Sequence, residues 1–73
     1  MKTRNLFGKE VIDADAKVVG KIEDLDLDMS KASVRGIVLK SGFKKRLLVL
    51  PQDVAKIGDK VVLKVTTDKI RKA

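Results

Sequence analysis

The chain contains no cysteine, histidine, tryptophan or tyrosine, one proline and two phenylalanines in 73 residues. Without cysteine there are no disulfides and no thiolate metal sites, and without histidine the commonest metal ligand and general base are gone. What remains for chemistry is carboxylates, lysines, arginines and the hydroxyls of Thr3, Ser30, Ser33, Ser41, Thr66 and Thr67. No nucleophile among them has an evident base beside it. These absences point away from an enzyme, and no cofactor, metal or small-molecule substrate is expected. No apolar stretch approaches the ~20 residues that span a bilayer, and no apolar segment of a signal peptide follows Met1-Lys2-Thr3-Arg4-Asn5. The expectation is a cytoplasmic protein with no transmembrane segment.

A single short chain buries only about 60% of the surface its unfolded form exposes, so its core is marginal. With the usual covalent and metal staples missing, self-association is the natural supplement. Asn and Gln occur once each while charged residues make up 37% of the chain, a composition that suits a thermophilic source.

Net charge is +7, unevenly placed. Glu10 to Val34 holds seven acids against Lys17, Lys21 and Lys31, whereas Arg35 to Arg46 holds five bases and no acid. The simplest arrangement sets a strand carrying Asp24, Asp26 and Asp28 beside one carrying Arg35 and Lys40, so that opposite charges meet across the ladder. Read as a divalent-ion site, the same acids would stand about 6.5–7 Å apart along a strand with no loop closing around them, which favours a solvated face.

Short apolar runs define the elements. Val11 and Ile12 make a first strand, closed by a turn over Asp13–Lys17 in which either Asp15 takes the awkward backbone conformation or the turn is of a different type. The second strand runs from Val18 to Met29. Strict alternation over Asp24–Met29 is out of phase with Ile22, which calls for a bulge near Glu23 and Asp24. A third strand over Val34–Lys40 and a fourth over Arg46–Leu50 flank a Gly-containing hairpin loop. Pro51–Lys56 suits one helical turn, with Pro at its first position and Asp53 near its positive end. The last strand covers Lys60–Val65, and the basic tail, residues 66–73, extends that strand or frays. No repeat or linker marks a second domain.

In order and spacing, Leu6–Ile12, Val18–Ile22, Leu47–Pro51 and Ile57–Leu63 resemble the PRC-barrel family, small β-barrels named after a cytoplasmic domain of the photosynthetic reaction-centre H subunit. The resemblance covers Leu6 to Leu63 and implies an all-β barrel of five to six short strands, occupying residues 6–65 of a single domain. Relatives commonly place Gly where this chain has Ala16. Family members serve binding roles: in the reaction centre, in a bacterial ribosome-maturation factor, and as free-standing archaeal proteins, some of them adaptors in cell division. This chain, lacking the anchor of the first and the N-terminal domain of the second, is similar to the free-standing type.

Two sets of residues stand out as sites. Ile37, Val38 and Leu39 with Leu47, Leu48, Val49 and Leu50 carry apolar side chains on both strand faces. A barrel interior covers only one face, so a homodimer built on these strands is expected. Arg35, Lys40, Lys44, Lys45 and Arg46 form the densest basic run, with Phe43 at the hairpin tip either folding over the barrel mouth or anchoring a partner. Such a surface fits a protein partner. It also fits RNA or the ribosome, although two phenylalanines give no stacking platform for single strands.

Overall fold

Ile22 and Asp24 of the second strand pair with adjacent residues of the third, Leu39 and Val38, so Glu23 is squeezed out as the bulge that the alternation requires. The computed structural model, which describes residues 2–72, is all-β: β1 (Glu10–Ile12), β2 (Val18–Asp28), β3 (Ser33–Ser41), β4 (Lys45–Val49), β5 (Val54–Ile57), β6 (Val61–Leu63) and β7 (Arg71–Lys72). They form one sheet in the order β5-β6-β1-β2-β3-β4-β7, with β1 and β6 parallel and the other pairs antiparallel. Among the described residues the ladder does not close on itself. Its strands nevertheless wrap one core.

That core is aliphatic. Val11, Val19, Ile22, Leu39, Leu47, Val49, Val61 and Leu63 are buried together, drawn from five different strands. Leu6, Ile37, Val54, Val65 and Ile70 pack around them. The inward residues of β3 and β4 are paired, Leu39 with Leu47 and Ile37 with Val49. Paired residues share a face of the sheet, so Val38 and Leu48 point outward. Gly20 is fixed by close approach, since a Cβ there would lie 2.4 Å from the carbonyl oxygen of Lys40.

Seven strands exceed the expected five to six, and the two additions have physical causes. The helical turn stops at Asp53 because Val54 turns extended (φ −87°, ψ 121°) and pairs with Leu63. Its neighbour Val54 is half-buried against the core, a gain that a second helical turn would forfeit. The segment read as a basic tail neither extends β6 nor frays among its described residues. It makes a 3-10 turn at Thr67–Lys69 and returns as β7 along the open edge of β4.

That return is held by Asp13, the one buried charged residue described. Its Oδ1 accepts the backbone N–H groups of Asp15 and Lys17, both at 2.9 Å, and its Oδ2 accepts the N–H of Thr67 at 3.0 Å and the hydroxyl of Thr67 at 2.6 Å. A buried carboxylate is tolerable when several donors converge on it. The Thr67 hydroxyl, then the Lys17 amide, hold its pKa down to about 2. In the turn it organises, Ala16, not Asp15, takes the left-handed conformation, with φ 63°.

Candidate protein-interaction surface

Beyond Ile22 on β2 and before Ile37 on β3, no neighbouring strand pairs with the β2–β3 hairpin. This hairpin therefore projects as a ribbon at one end of a molecule 34 Å long. The β3–β4 turn, Gly42 to Lys44, lies at the opposite end of β3. Gly42 supports that turn with φ 71°.

Phe43 at this tip is 85% exposed, so it does not plug the barrel mouth. The Lys44 ammonium sits 5.9 Å from its ring centroid, at the edge of cation–π range. Behind the tip, Lys21, Lys40 and Arg46 stand directly opposite one another across β2, β3 and β4. The sequence reading placed Lys40 against the acids of β2. The Glu23 bulge shifts the register, and Lys40 meets Lys21 instead. Arg46 is partly neutralised by an ion pair with that same Glu23.

Arg35 does not join this group. It lies five positions from Lys40, roughly 17 Å along an extended strand, and its guanidinium contacts Asp26 through Nε and Nη2, each at 3.2 Å. Here opposite charges do meet across β2 and β3. The other acids are used singly: Asp24 accepts the N–H of Leu25, and Asp28 accepts from the N–H and hydroxyl of Ser30.

The seven residues read as a dimer interface divide between two faces. Leu39, Leu47 and Val49 are buried in the core of a single chain, at 0%, 4% and 2% exposure, and Ile37 packs beside them. They face away from any second copy, because the curled sheet supplies its own inner cover. Val38, Leu48 and Leu50 remain toward the surface. Leu48 lies over Gly36, where a Cβ would come within 2.5 Å of its Cδ1, and with Leu50, Asp53, Lys69, Ile70 and Arg71 it lines a shallow pocket.

A small all-β sheet wrapped around one core is what the resemblance implied. A model of the PRC-barrel domain family matches residues 1–70. The chain belongs to the PRC-barrel family. That family is a protein-interaction module and is generally non-catalytic. No curated protein matches the chain. In this PRC-barrel no helix among the described residues is long and apolar enough to cross a membrane.

Lys21 was missed by the sequence reading because it lies far along the chain from the basic run. The register alone assembles the cationic row. Asp13 was read only as a turn former, since nothing local announces Thr67 as its partner.

Proposed function

We propose that this PRC-barrel is a non-enzymatic adaptor that binds an acidic segment of a protein partner at the β3–β4 tip and pairs with a second copy of itself. The observation that carries the reading is Phe43. A large aromatic left 85% exposed between Gly42 and two lysines costs solubility and contributes nothing to the core. An aromatic anchor with a basic rim is the composition of an interaction hot spot. The row Lys21–Lys40–Arg46 adds positive potential behind it, which steers an acidic partner toward the tip. Archaeal cell division is the setting that the resemblance to free-standing members favours.

The same cationic row supports a second reading, ribosome- or RNA-associated binding, because clustered cations release counterions from phosphate. Against it, Phe7 and Phe43 are the chain's two aromatics, too few to stack bases in succession. Affinity capture of the tagged chain from its own lysate, with and without nuclease, separates the two. Partners that survive nuclease support the adaptor; a set of ribosomal or RNA-bound proteins that nuclease removes supports the second reading.

A further inference from the structure

We propose that β7 is a displaceable strap and that an acidic, extended segment of a protein partner takes its place along β4. This rests on the adaptor reading above and names how the acidic partner is gripped. Beyond β6 the chain is tied down at few points. The N–H of Ala14 donates to the carbonyl of Val65 at 2.9 Å, that of Lys64 donates to the carbonyl of Asp53 at 2.8 Å, and Asp13 accepts twice from Thr67. Only Val65 and Ile70 of this stretch pack against the core, and β7 pairs Arg71 with Leu48 and Lys72 with Leu47. A cavity of about 80 Å³ opens between Leu48–Leu50 on one side and Lys69–Arg71 on the other, so the strap does not fill the slot it lies in. Segments with so few buried apolar contacts open without global unfolding.

The strap also carries the wrong charge for its place. The register makes Arg71 a diagonal neighbour of Arg46 and Lys72 a diagonal neighbour of Lys45, each pair roughly 7–8 Å apart. Arg46 has Glu23 as a counter-ion, but among the described residues Lys45, Arg71 and Lys72 make no ion pair. Asp53, the one acid lining the cavity, is bonded to none of them, and Asp68, the one acid of the strap, accepts the hydroxyl of Thr66. A partner strand with acids at the two β7 positions turns both diagonals attractive. It makes the same backbone bonds to Leu47 and Leu48, in the manner of strand addition to a sheet edge, and sets one aliphatic side chain where Ile70 packs. Because β7 runs antiparallel to β4, such a strand continues past Arg46 and Lys45 to Phe43. One extended segment then meets both the edge and the tip.

A reversible lock tests this. The chain has no cysteine, so Leu48→Cys with Arg71→Cys, which stand directly opposite each other, gives one disulfide that holds the strap down until it is reduced. Thr67→Val does the reverse, loosening the strap with no change of charge. Circular dichroism melts first establish that both variants fold, and either one alone carries the test. The probe is a fluorescent peptide of residues 66–72 in which Lys69, Arg71 and Lys72 are each replaced by Glu. Its affinity scales with the fraction of chains whose strap is open, so the oxidised lock is expected to bind about tenfold more weakly than the same protein reduced, and Thr67→Val more tightly than the wild type. Equal binding by the oxidised and reduced lock, no gain in Thr67→Val, or no binding to any of them overturns the proposal. Disulfide-linked dimers on a non-reducing gel would give the slot to the strap of a second copy, and overturn it too. Capture of partners from lysate separates this proposal from the tip reading. Partners kept by the oxidised lock but lost with Phe43→Ser, Lys44→Ala and Lys45→Ala fail the strap alone; partners lost on locking but kept by that tip variant fail the tip reading alone.

Discussion

Lys21 and Lys40 stand directly opposite each other on the outward face of β2 and β3, and Arg46 extends the same row onto β4. Like charges so placed repel, and replacing one by an acid converts repulsion into attraction. Lys40→Glu is expected to raise the stability of the isolated chain by about 0.2–1 kcal/mol. Chemical denaturation at a concentration where the chain is monomeric measures this. A fall in stability would mean that the row is not in register in solution.

Ala16 and Ala32 hold φ values of 63° and 50°, where a Cβ crowds the following carbonyl oxygen. Ala16→Gly and Ala32→Gly relieve that contact, partly offset by the greater freedom glycine gives the unfolded chain. Each should stabilise by up to about 1 kcal/mol, read as a shift of the denaturant midpoint at constant slope. Ala→Gly elsewhere in a strand would do the opposite. At position 16 the change restores the residue that relatives commonly carry.

The Asp13 carboxyl is held down from 3.8 to about 2 in the folded chain, chiefly by the Thr67 hydroxyl and then the Lys17 amide. Between those values the unfolded chain binds more protons than the folded one, so the stability Asp13 contributes is complete above about pH 4 and is lost as pH falls toward 2. Asp28, lowered first by the Ser30 hydroxyl, acts in the same direction. Asp13→Asn should lower the melting temperature at pH 7 and flatten the decline between pH 4 and pH 2. In hydrogen exchange the same variant should lose protection along β7, which Thr67 anchors. An unchanged acid profile would remove Asp13 from this role.

The two faces of β4 predict opposite outcomes for one kind of change. Val49→Lys buries a charge in the core and should prevent folding, and Leu39→Ala should cost about 2–5 kcal/mol through the cavity it leaves. Leu48→Lys places its charge on the outward face and should leave a folded chain with weakened self-pairing. Melting curves and sedimentation of the two lysine variants separate core from surface. A folded Val49→Lys protein would reverse the assignment of faces.

Much of this architecture was legible in the sequence. Alternation over Asp24–Met29 fixed the phase of β2, and the slip at Ile22 located the Glu23 bulge. What single-strand patterns could not show is how faces are apportioned once the sheet curls: Ile37-Val38-Leu39 and Leu47–Leu50 read as two equally apolar faces, and only the pairing of Leu39 with Leu47 reveals which is covered by the chain's own β6 and β1. Val54 to Ile57 was invisible as a strand because Pro51 and Asp53 carry a strong helix-start signal, while pairing with Leu63 depends on a contact across the turn at Gly58-Asp59. Phe43 to Lys45 lie at or beside the β3–β4 turn, whereas Arg35 belongs to the far ribbon and Lys21 joins Lys40 and Arg46 in one row, because charge in a sheet is organised by register rather than by nearness along the chain.

The measurement that bears most directly on the adaptor reading is parallel affinity capture, after nuclease, with the wild-type chain and a folded Phe43→Ser, Lys44→Ala, Lys45→Ala variant. The account predicts that a small set of protein partners is retained by the wild type and lost by the variant. Equal recovery of the same partners by both would contradict it and move the working surface away from the β3–β4 tip.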